Sequence, residues 1–299
     1  MSLPLDSETV ALSALLYHDP NGRGRWAEIR DALSEGTSAR HLLEYPAGEL
    51  VPRDVRSMTE ESAAELETWT AAGIQLLTPL DDAYPAQLRS VYDFPLALFA
   101  RGEVVHDYRS AAIVGSREFS VGGQNFARDL ATLLARDAVT VVSGLARGID
   151  GTAHRAALAA GGRTVAVIGN GLNLTYPAEH RELQRVIEER GLVISQFRPE
   201  TKPTRQTFPQ RNVTMSAYSS VTVIVEAKEA SGTRIQAAAA VKHGRPMVIT
   251  EQVATTTSWG REYASGGFDV MVARTPEEAA ELIGGVFSRS ARPLQMSGV

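Results

Sequence analysis

The chain has 299 residues, of which 43% are apolar and 22% are charged. This composition is ordinary for a soluble globular protein, and the length favours one large domain with a smaller one. The absence of cysteine excludes disulfides, thiolate zinc sites and a cysteine nucleophile, and it fits a reducing cytoplasm. The net charge of -5 argues against indiscriminate coating of nucleic acid, although it allows a local basic site.

Residues 1–74 show apolar spacing of three or four, which predicts a small all-helical N-terminal domain. Ser7 is placed to cap the first helix, a second helix is predicted over residues 24–33, and a third over residues 59–72 with a capped start at Thr59. The chain has neither a long uninterrupted apolar run nor the basic and apolar pattern of a signal peptide, so no membrane segment is expected.

After a connector over residues 74–102, the pattern alternates between strands and helices. Strands are predicted at residues 111–115, 139–143, 164–169, 192–195, 221–226, 246–250 and 268–272. Helices are predicted at residues 122–135, 151–160, 178–190, 233–243 and 276–283. The strands are near-continuous apolar runs, as parallel strands buried on both faces require. We therefore predict an α/β fold, a Rossmann-like doubly wound and mainly parallel sheet over residues 75–285, followed by a C-terminal tail over residues 286–299.

The carboxyl ends of parallel strands share one rim of the sheet, where such folds bind ligands. Four of these strand ends carry glycine together with serine, asparagine or threonine. The residues concerned are Gly115, Ser116 and Arg117; Ser143, Gly144, Arg147 and Gly148; Gly169 and Gly171; and Ser231, Gly232 and Thr233. Glycine lets backbone amides approach an anion, the following helix N-terminus attracts it, and arginine suits phosphate. We expect the loops at 115–117, 143–148 and 231–233 to converge on one anion-binding pocket, although neither a dinucleotide fingerprint nor a P-loop is present.

A basic segment lies between residues 195 and 215, with four basic side chains and one acid. The basic residues are Arg198, Lys202, Arg205 and Arg211, and Phe208 stands among them. Basic residues interleaved with an aromatic suit single-stranded nucleic acid, because phosphates are neutralised while a base stacks. The alternative is a solvated loop in which Phe208 packs into the core.

Five ordered motifs resemble the DprA/Smf family. They stand at residues 115–117, 143–154, 169–180, 208–212 and 225–233, and the segment from residue 84 to 102 is similar to the family's lead-in. The resemblance implies single-stranded DNA binding, dimerisation, and delivery of DNA to the RecA recombinase in transformation or recombination. It also implies binding roles for Ser116 and Arg117 in a phosphate pocket, for Phe208 in base stacking, and for Arg147, Arg205, Arg211 and Asn212.

The chain departs from the family pattern at three places. Residues 213–216, 251–253 and 259–265 differ from the sequences usual there, and no room is expected for the C-terminal winged helix of many members. These features indicate a divergent branch.

Two rival classes remain open. The LOG-type phosphoribohydrolases share the superfold, but their signature motif is absent from this sequence. Residues 231–233, close to Glu226, are the segment most similar to that motif. Asp150 and His154 are spaced i, i+4, as a catalytic or metal pair would be, or else Asp150 caps a helix and His154 packs beneath the rim. An interaction scaffold for a defence system or mobile element is a further alternative. We predict no catalytic residue, cofactor or metal, and we expect a cytoplasmic protein.

Overall fold

The computed structural model describes residues 7–20, 24–46 and 51–290. The extreme N-terminus and residues 291–299 of the predicted tail lie outside this part of the chain. Four helices come first: α1 Glu8–Tyr17, α2 Trp26–Ser34, α3 Ala39–Glu44 and α4 Arg56–Ala71. The Ser7 hydroxyl caps α1 as predicted, accepting from the Val10 amide at 3.2 Å. The predicted cap at Thr59 is wrong, because α4 begins one turn earlier and the Thr59 hydroxyl donates to carbonyls of that turn.

The four helices pack on the sheet and share an apolar core with it. Leu12 and Trp69 belong to the same buried cluster as Phe99 and Val193. The rings of Trp69 and Phe99 meet edge to face at 5.0 Å. The division of the chain into domains at residue 74 stays a prediction.

The sheet has nine strands within the described residues: β1 Gln75–Leu77, β2 Leu98–Gly102, β3 Ser110–Gly115, β4 Thr140–Ser143, β5 Thr164–Val167, β6 Leu192–Ser195, β7 Val221–Glu226, β8 Met247–Thr250 and β9 Val270–Ala273. Their order is β1-β2-β6-β5-β4-β3-β7-β8-β9. Strands β3 to β9 are parallel, which confirms the predicted α/β fold. The connector predicted over residues 74–102 contains two strands: β2, which pairs antiparallel with β6, and β1, which pairs antiparallel with β2 and forms one edge of the sheet.

Eight helices complete the described fold: α5 Val121–Arg136, α6 Ile149–Ala159, α7 Arg181–Arg190, α8 Thr207–Tyr218, α9 Thr233–Lys242, α10 Glu251–Thr256, α11 Ser258–Ser265 and α12 Pro276–Ser290. Helix α12 continues past its predicted end at residue 283. The sequence analysis predicted no helix at α8, whose third residue is Pro209. Proline is tolerated in the first turn of a helix, where amides have no intrahelical acceptor.

Strand order reverses at β3, which has β4 on one side and β7 on the other. The chain winds outward from β3 through β4 and β5 to β6, and then returns to β7. The loops that leave β3 and β7 therefore diverge and open a crevice at their carboxyl ends, the usual ligand site of such sheets. Among the described residues, no helix is long and apolar enough to cross a membrane.

Candidate functional site

A cavity of about 470 Å³ opens at the carboxyl ends of β3 and β7. Three predicted loops contribute to its lining, through Gly115, Ser116 and Arg117; through Ala146; and through Ser231, Gly232 and Thr233. The basic segment and the start of α8 contribute Arg205, Phe208, Arg211 and Asn212. The fold thus brings residues from four separate stretches of sequence together on one rim, as the parallel topology requires.

The loop that carries Arg117 is fixed from beneath by Glu226 at the end of β7. The Ser116 amide donates to the Glu226 carbonyl at 2.8 Å. The Ser120 amide and hydroxyl donate to the Glu226 carboxylate at 3.1 and 2.7 Å. Gly123 leaves the room for this carboxylate, because a Cβ at residue 123 would overlap its oxygen. Arg117 therefore belongs to a loop whose two sides, at Ser116 and Ser120, are both hydrogen-bonded to Glu226.

The loop at residues 143–148 is held by the buried carboxylate of Asp150. Its Oδ2 accepts hydrogen bonds from the amides of Gly144 at 3.1 Å and Ala146 at 3.4 Å. Burial raises the pKa of Asp150, and the nearby Arg211 opposes that rise. The idea that Asp150 caps its own helix is wrong, because its carboxylate ties down the preceding loop instead.

Ser143 and Gly148, both predicted to bind phosphate, serve the backbone of this loop. The Ser143 hydroxyl is fully buried and donates to the Ile113 carbonyl at 2.6 Å. Gly148 has a φ of +83°, and a Cβ there would overlap the carbonyl of Ser116. A side chain at residue 148 would therefore be both strained and crowded. Neither residue offers a side chain to a ligand.

His154 lies beneath the rim and is completely buried. Its Nδ1 is 2.7 Å from the Thr164 hydroxyl, and burial lowers its pKa to about 3. It shares no hydrogen bond with Asp150 in the described part of the chain, so the two do not form the catalytic pair that their spacing allowed. The described residues also include no group of three acids or histidines placed to hold a metal ion.

Arg211 is a buried cation at the base of the cavity, only 5% exposed. Its Nη1 donates to the Val167 carbonyl at 2.7 Å and to the Gly144 carbonyl, and its Nε donates to Asn212 Oδ1 at 3.0 Å. Burial lowers the pKa of Arg211. A Cβ at residue 144 would overlap the guanidinium. The side chain therefore joins the ends of β4 and β5, a structural task that its sequence motif does not reveal.

Phe208 is half-buried at the cavity wall. The Arg117 guanidinium lies over its ring, 5.3 Å from the centroid. Tyr176 packs beside it with centroids 5.5 Å apart, and a Cβ at Gly169 would lie 2.8 Å from the ring. Gly169 therefore accommodates Phe208 and does not line the cavity. Tyr176, which is 45% exposed, is an aromatic neighbour that the sequence analysis passed over.

Gly171 lies under the start of the basic segment. Its amide donates to the Thr201 carbonyl at 2.8 Å, and a Cβ there would overlap the carbonyls of Arg198 and Pro199. Like Gly169, it supports the segment from below. The close packing explains why glycine stands at both positions without a direct role in binding.

Polar groups at the start of α9 close their own turn. The Ser231 hydroxyl accepts from the Thr233 amide at 3.2 Å. The Gly232 carbonyl accepts from Asn212 Nδ2 at 3.3 Å, which joins this turn to α8. Asn212 thus links α8 to the turn that precedes α9 at the cavity wall.

Three cations of the site are exposed and have no ion-pair partner in the described part of the chain: Arg117, Lys202 and Arg205. Arg117 and Arg205 line the cavity, whereas Lys202 lies outside its lining. These side chains are the ones available to a phosphate group.

Two further cations at the rim are paired. Arg147 is bound to Glu179 at 2.6 Å, away from the cavity lining. Lys228 lines the cavity and is bound to Glu118 at 2.7 Å. The sequence analysis missed Lys228, although it stands in the same strand-end loop as the predicted residues 231–233. The two ion pairs therefore compensate the positive charges of Arg147 and Lys228, which would otherwise be available to a polyanion.

The sequence profile of the DNA recombination-mediator protein A family matches residues 75–266. The chain belongs to this family. The match spans strands β1 to β8 and ends before β9, and the helices α1 to α4 precede it.

Similar proteins carry the names expected of the family. Identity is 42% over 173 residues with protein Smf of Escherichia coli, covering 56% of this chain and 46% of that protein. It is 36% over 182 residues with DNA processing protein DprA of Bacillus subtilis, covering 60% and 61%. The putative DprA of Mycobacterium tuberculosis is 37% identical over 245 residues, covering 77% and 61%. The chain thus spans about half to three-fifths of the length of these relatives.

Two solved structures share the family fold. DNA processing protein A of Streptococcus pneumoniae superposes with a TM-score of 0.69 at 26% identity, covering 94% of this chain and 98% of that one. The Helicobacter pylori protein, whose structure concerns its single-stranded DNA binding mode, gives a TM-score of 0.62 at 24% identity and covers 72% and 96%.

Proposed function

We propose that the chain binds single-stranded DNA across the β3–β7 cavity, protects it, and promotes loading of the RecA recombinase in natural transformation or recombination. The proposal includes a homodimer acting in the cytoplasm without a cofactor. Membership of a family of DNA recombination mediators supports it. The observation that carries it is the contact between Arg117, which has no ion-pair partner among the described residues, and the Phe208 ring in the lining of one cavity.

These two side chains supply the two interactions that a single strand needs. Arg117 and Arg205 offer guanidinium groups to phosphates, and Phe208 and Tyr176 offer rings on which unpaired bases can stack. A duplex would satisfy only the first, because its bases are already stacked. The overall charge of -5 provides no broad basic surface to hold duplex DNA non-specifically.

The proposal excludes catalysis. Asp150 is buried and bonded to two amides, and Glu226 is bonded to Ser120. Glu118 is held by Lys228. The acids at the cavity thus have structural partners and none is poised as a general base. Turnover of a nucleoside monophosphate, lost in Glu226→Ala or Asp150→Ala, would favour a nucleotide-processing enzyme instead.

The test is fluorescence anisotropy of labelled oligo-dT at several salt concentrations. Arg117→Ala should weaken binding and flatten the log–log salt slope by about 0.7, the value for one phosphate contact on a single strand. Phe208→Ala should weaken binding by roughly 1–3 kcal/mol while leaving the slope nearly unchanged. Arg136→Ala, at the exposed far end of α5, serves as the control and should change neither. Equal affinity for duplex and single strand would contradict a stacking role for Phe208, and absence of binding at low salt would overturn the proposal.

A further inference from the structure

A second cavity, of about 620 Å³, lies between the N-terminal helices and the sheet. Its lining comes from Leu16 and Tyr17 of α1, Gly24 and Trp26 at the start of α2, the loop 196–198 after β6, and Gln210 of α8. Because β6 is parallel to β5, this loop leaves the sheet at the same rim as the first cavity. Both cavities are therefore bordered by loops from the same rim of the sheet.

Helix α8 separates the two cavities. Phe208 and Asn212 are one turn apart and line the first cavity, whereas Gln210 lies half a turn from both and lines the second. The segment that precedes α8 begins with Arg198 at the second cavity and reaches Arg205 at the first. One short stretch of chain thus connects the two cavities, and Lys202 in its middle has no ion-pair partner in the part of the chain that the structure describes.

The walls of the second cavity are firm. Arg198 lies over the rings of Tyr17 and Trp69, 5.2 and 5.4 Å from their centroids, and is also bound to Glu65. Its charge is therefore compensated, and it acts as a flat wall. Trp26 packs edge to face on Tyr17 at 6.3 Å and remains partly exposed.

Besides the paired guanidinium of Arg198, the cavity is lined by the side-chain amides of Gln196 and Gln210. The Gln196 carbonyl oxygen accepts from the Thr214 hydroxyl, which leaves its amide hydrogens as donors. Gln210 is exposed and offers both a donor and an acceptor. Aromatic faces combined with amide groups suit a flat heteroaromatic ring with acceptors on its edge, such as a nucleobase.

We infer that the second cavity binds a base of the same DNA strand that occupies the first, with the intervening phosphates running along the segment 198–206. This inference rests on the proposed function. The occupant is a nucleobase of single-stranded DNA because the cavity continues the proposed interface across α8. Lys202 and Arg205 neutralise the connecting phosphates, and Trp26 provides the stacking surface.

Tryptophan emission can test this inference. The chain has three tryptophans, and Trp69 and Trp259 are only 4% and 2% exposed. Base stacking on Trp26 should therefore quench the emission of the accessible fluorophore. Site sizes on single strands usually range from about 4 to about 16 nucleotides. Oligo-dT of about 16 nucleotides should therefore quench the tryptophan emission, whereas oligo-dT of about 4 nucleotides should bind the first cavity without quenching. Trp26→Phe should abolish the quenching and keep the affinity for the short oligonucleotide.

A negative charge introduced on the wall provides a second measurement. Gln210→Glu should lower the affinity for the long oligonucleotide about 5-fold or more and leave the short one nearly unaffected. Gln252→Glu is the matched control. Gln252 is exposed on α10, which follows β8, and β8 lies five strands away from β6 in the sheet. This variant should change neither affinity by a comparable factor. Three results would overturn the second base site alone. These are binding of both oligonucleotides with unchanged tryptophan emission, equal quenching by the two oligonucleotides, and equal effects of Gln210→Glu and Gln252→Glu on affinity. Failure of the wild type to bind either one would overturn the proposed function as well.

Discussion

Replacing Gly123 with alanine should destabilise the protein, although alanine is the better helix former. Gly123 lies in the first turn of α5, directly against the Glu226 carboxylate. A Cβ at this position would overlap Oε2 and lie 3.2 Å from the carboxyl carbon. The carboxylate would therefore have to swing away from Ser120, which donates to it from both its amide and its hydroxyl.

The magnitude follows from the bonds that the displacement breaks. Glu226 is only 8% exposed, so water cannot readily replace the lost donors. Hydrogen bonds to charged groups contribute about 1.5–3 kcal/mol each, and two are at stake with Ser120. Replacing glycine inside a helix returns about 1 kcal/mol. The expected net loss is therefore about 2–5 kcal/mol of unfolding free energy for Gly123→Ala.

Gly122 provides a matched control one residue away. A Cβ there would meet only the Ser120 hydroxyl, at an ordinary contact distance of 3.7 Å. Gly122→Ala should therefore stabilise the protein by up to about 1 kcal/mol. Urea unfolding followed by circular dichroism would compare the two variants with the wild type. If Gly123→Ala proved as stable as Gly122→Ala, Glu226 would have no anchoring role for the loop that carries Arg117.

Three further predictions concern the charges of the site. The first is a double-mutant cycle on oligo-dT affinity, because a base that stacks on Phe208 must first displace the Arg117 guanidinium from the ring. Arg117→Ala and Phe208→Ala together should therefore lower the binding free energy by about 0.5–1 kcal/mol more than the sum of the two single changes. Strict additivity would refute this displacement. Burial lowers the pKa of His154 from its ordinary 6.5 to about 3, so the unfolded state takes up a proton between these pH values while the folded state does not. The unfolding free energy should therefore be unaffected by His154 above pH 6.5 and should fall by about 1.4 kcal/mol per pH unit from there toward pH 3. His154→Gln should remove that dependence in urea titrations between pH 5 and 7, and parallel curves for variant and wild type would show that His154 takes up its proton as readily in the folded state as in the unfolded state. Glu118→Gln should tighten oligo-dT binding and steepen the salt slope by about 0.7, because it releases Lys228 into the cavity; an unchanged slope would place Lys228 outside the path of the strand.

Local sequence was enough to predict the strands and the rim. The predicted strands at residues 192–195 and 221–226 coincide with β6 and β7, because continuous runs of apolar β-branched residues suit a strand buried on both faces. The strand-end loops could be assigned to one rim for the same reason, since parallel strands joined by helices all end on the same side. The family resemblance also rested on sequence alone, through five ordered motifs.

The identity of the residues that face the ligand depended on tertiary packing. Gly144, Gly169 and Gly171 match a phosphate-binding pattern in sequence, yet each makes room for a neighbouring group: the Arg211 guanidinium, the Phe208 ring and the carbonyls of residues 198 and 199. A glycine required for close packing and one required for anion binding look the same in a sequence, because both reflect only the absence of a side chain.

The sequence also could not indicate which cations are free. Arg117 and Arg205 remain unpaired in the described part of the chain, whereas Arg211 is buried under the cavity and Arg147 is bound to Glu179, 32 residues further on. These differences arise from contacts between residues that are distant in sequence, as does the cavity between α2 and α8. Residue types and their spacing therefore determined the fold class and the rim at which we propose that binding occurs. Only the folded chain decided which side chains on that rim are available to a ligand, because burial and ion pairing depend on long-range packing.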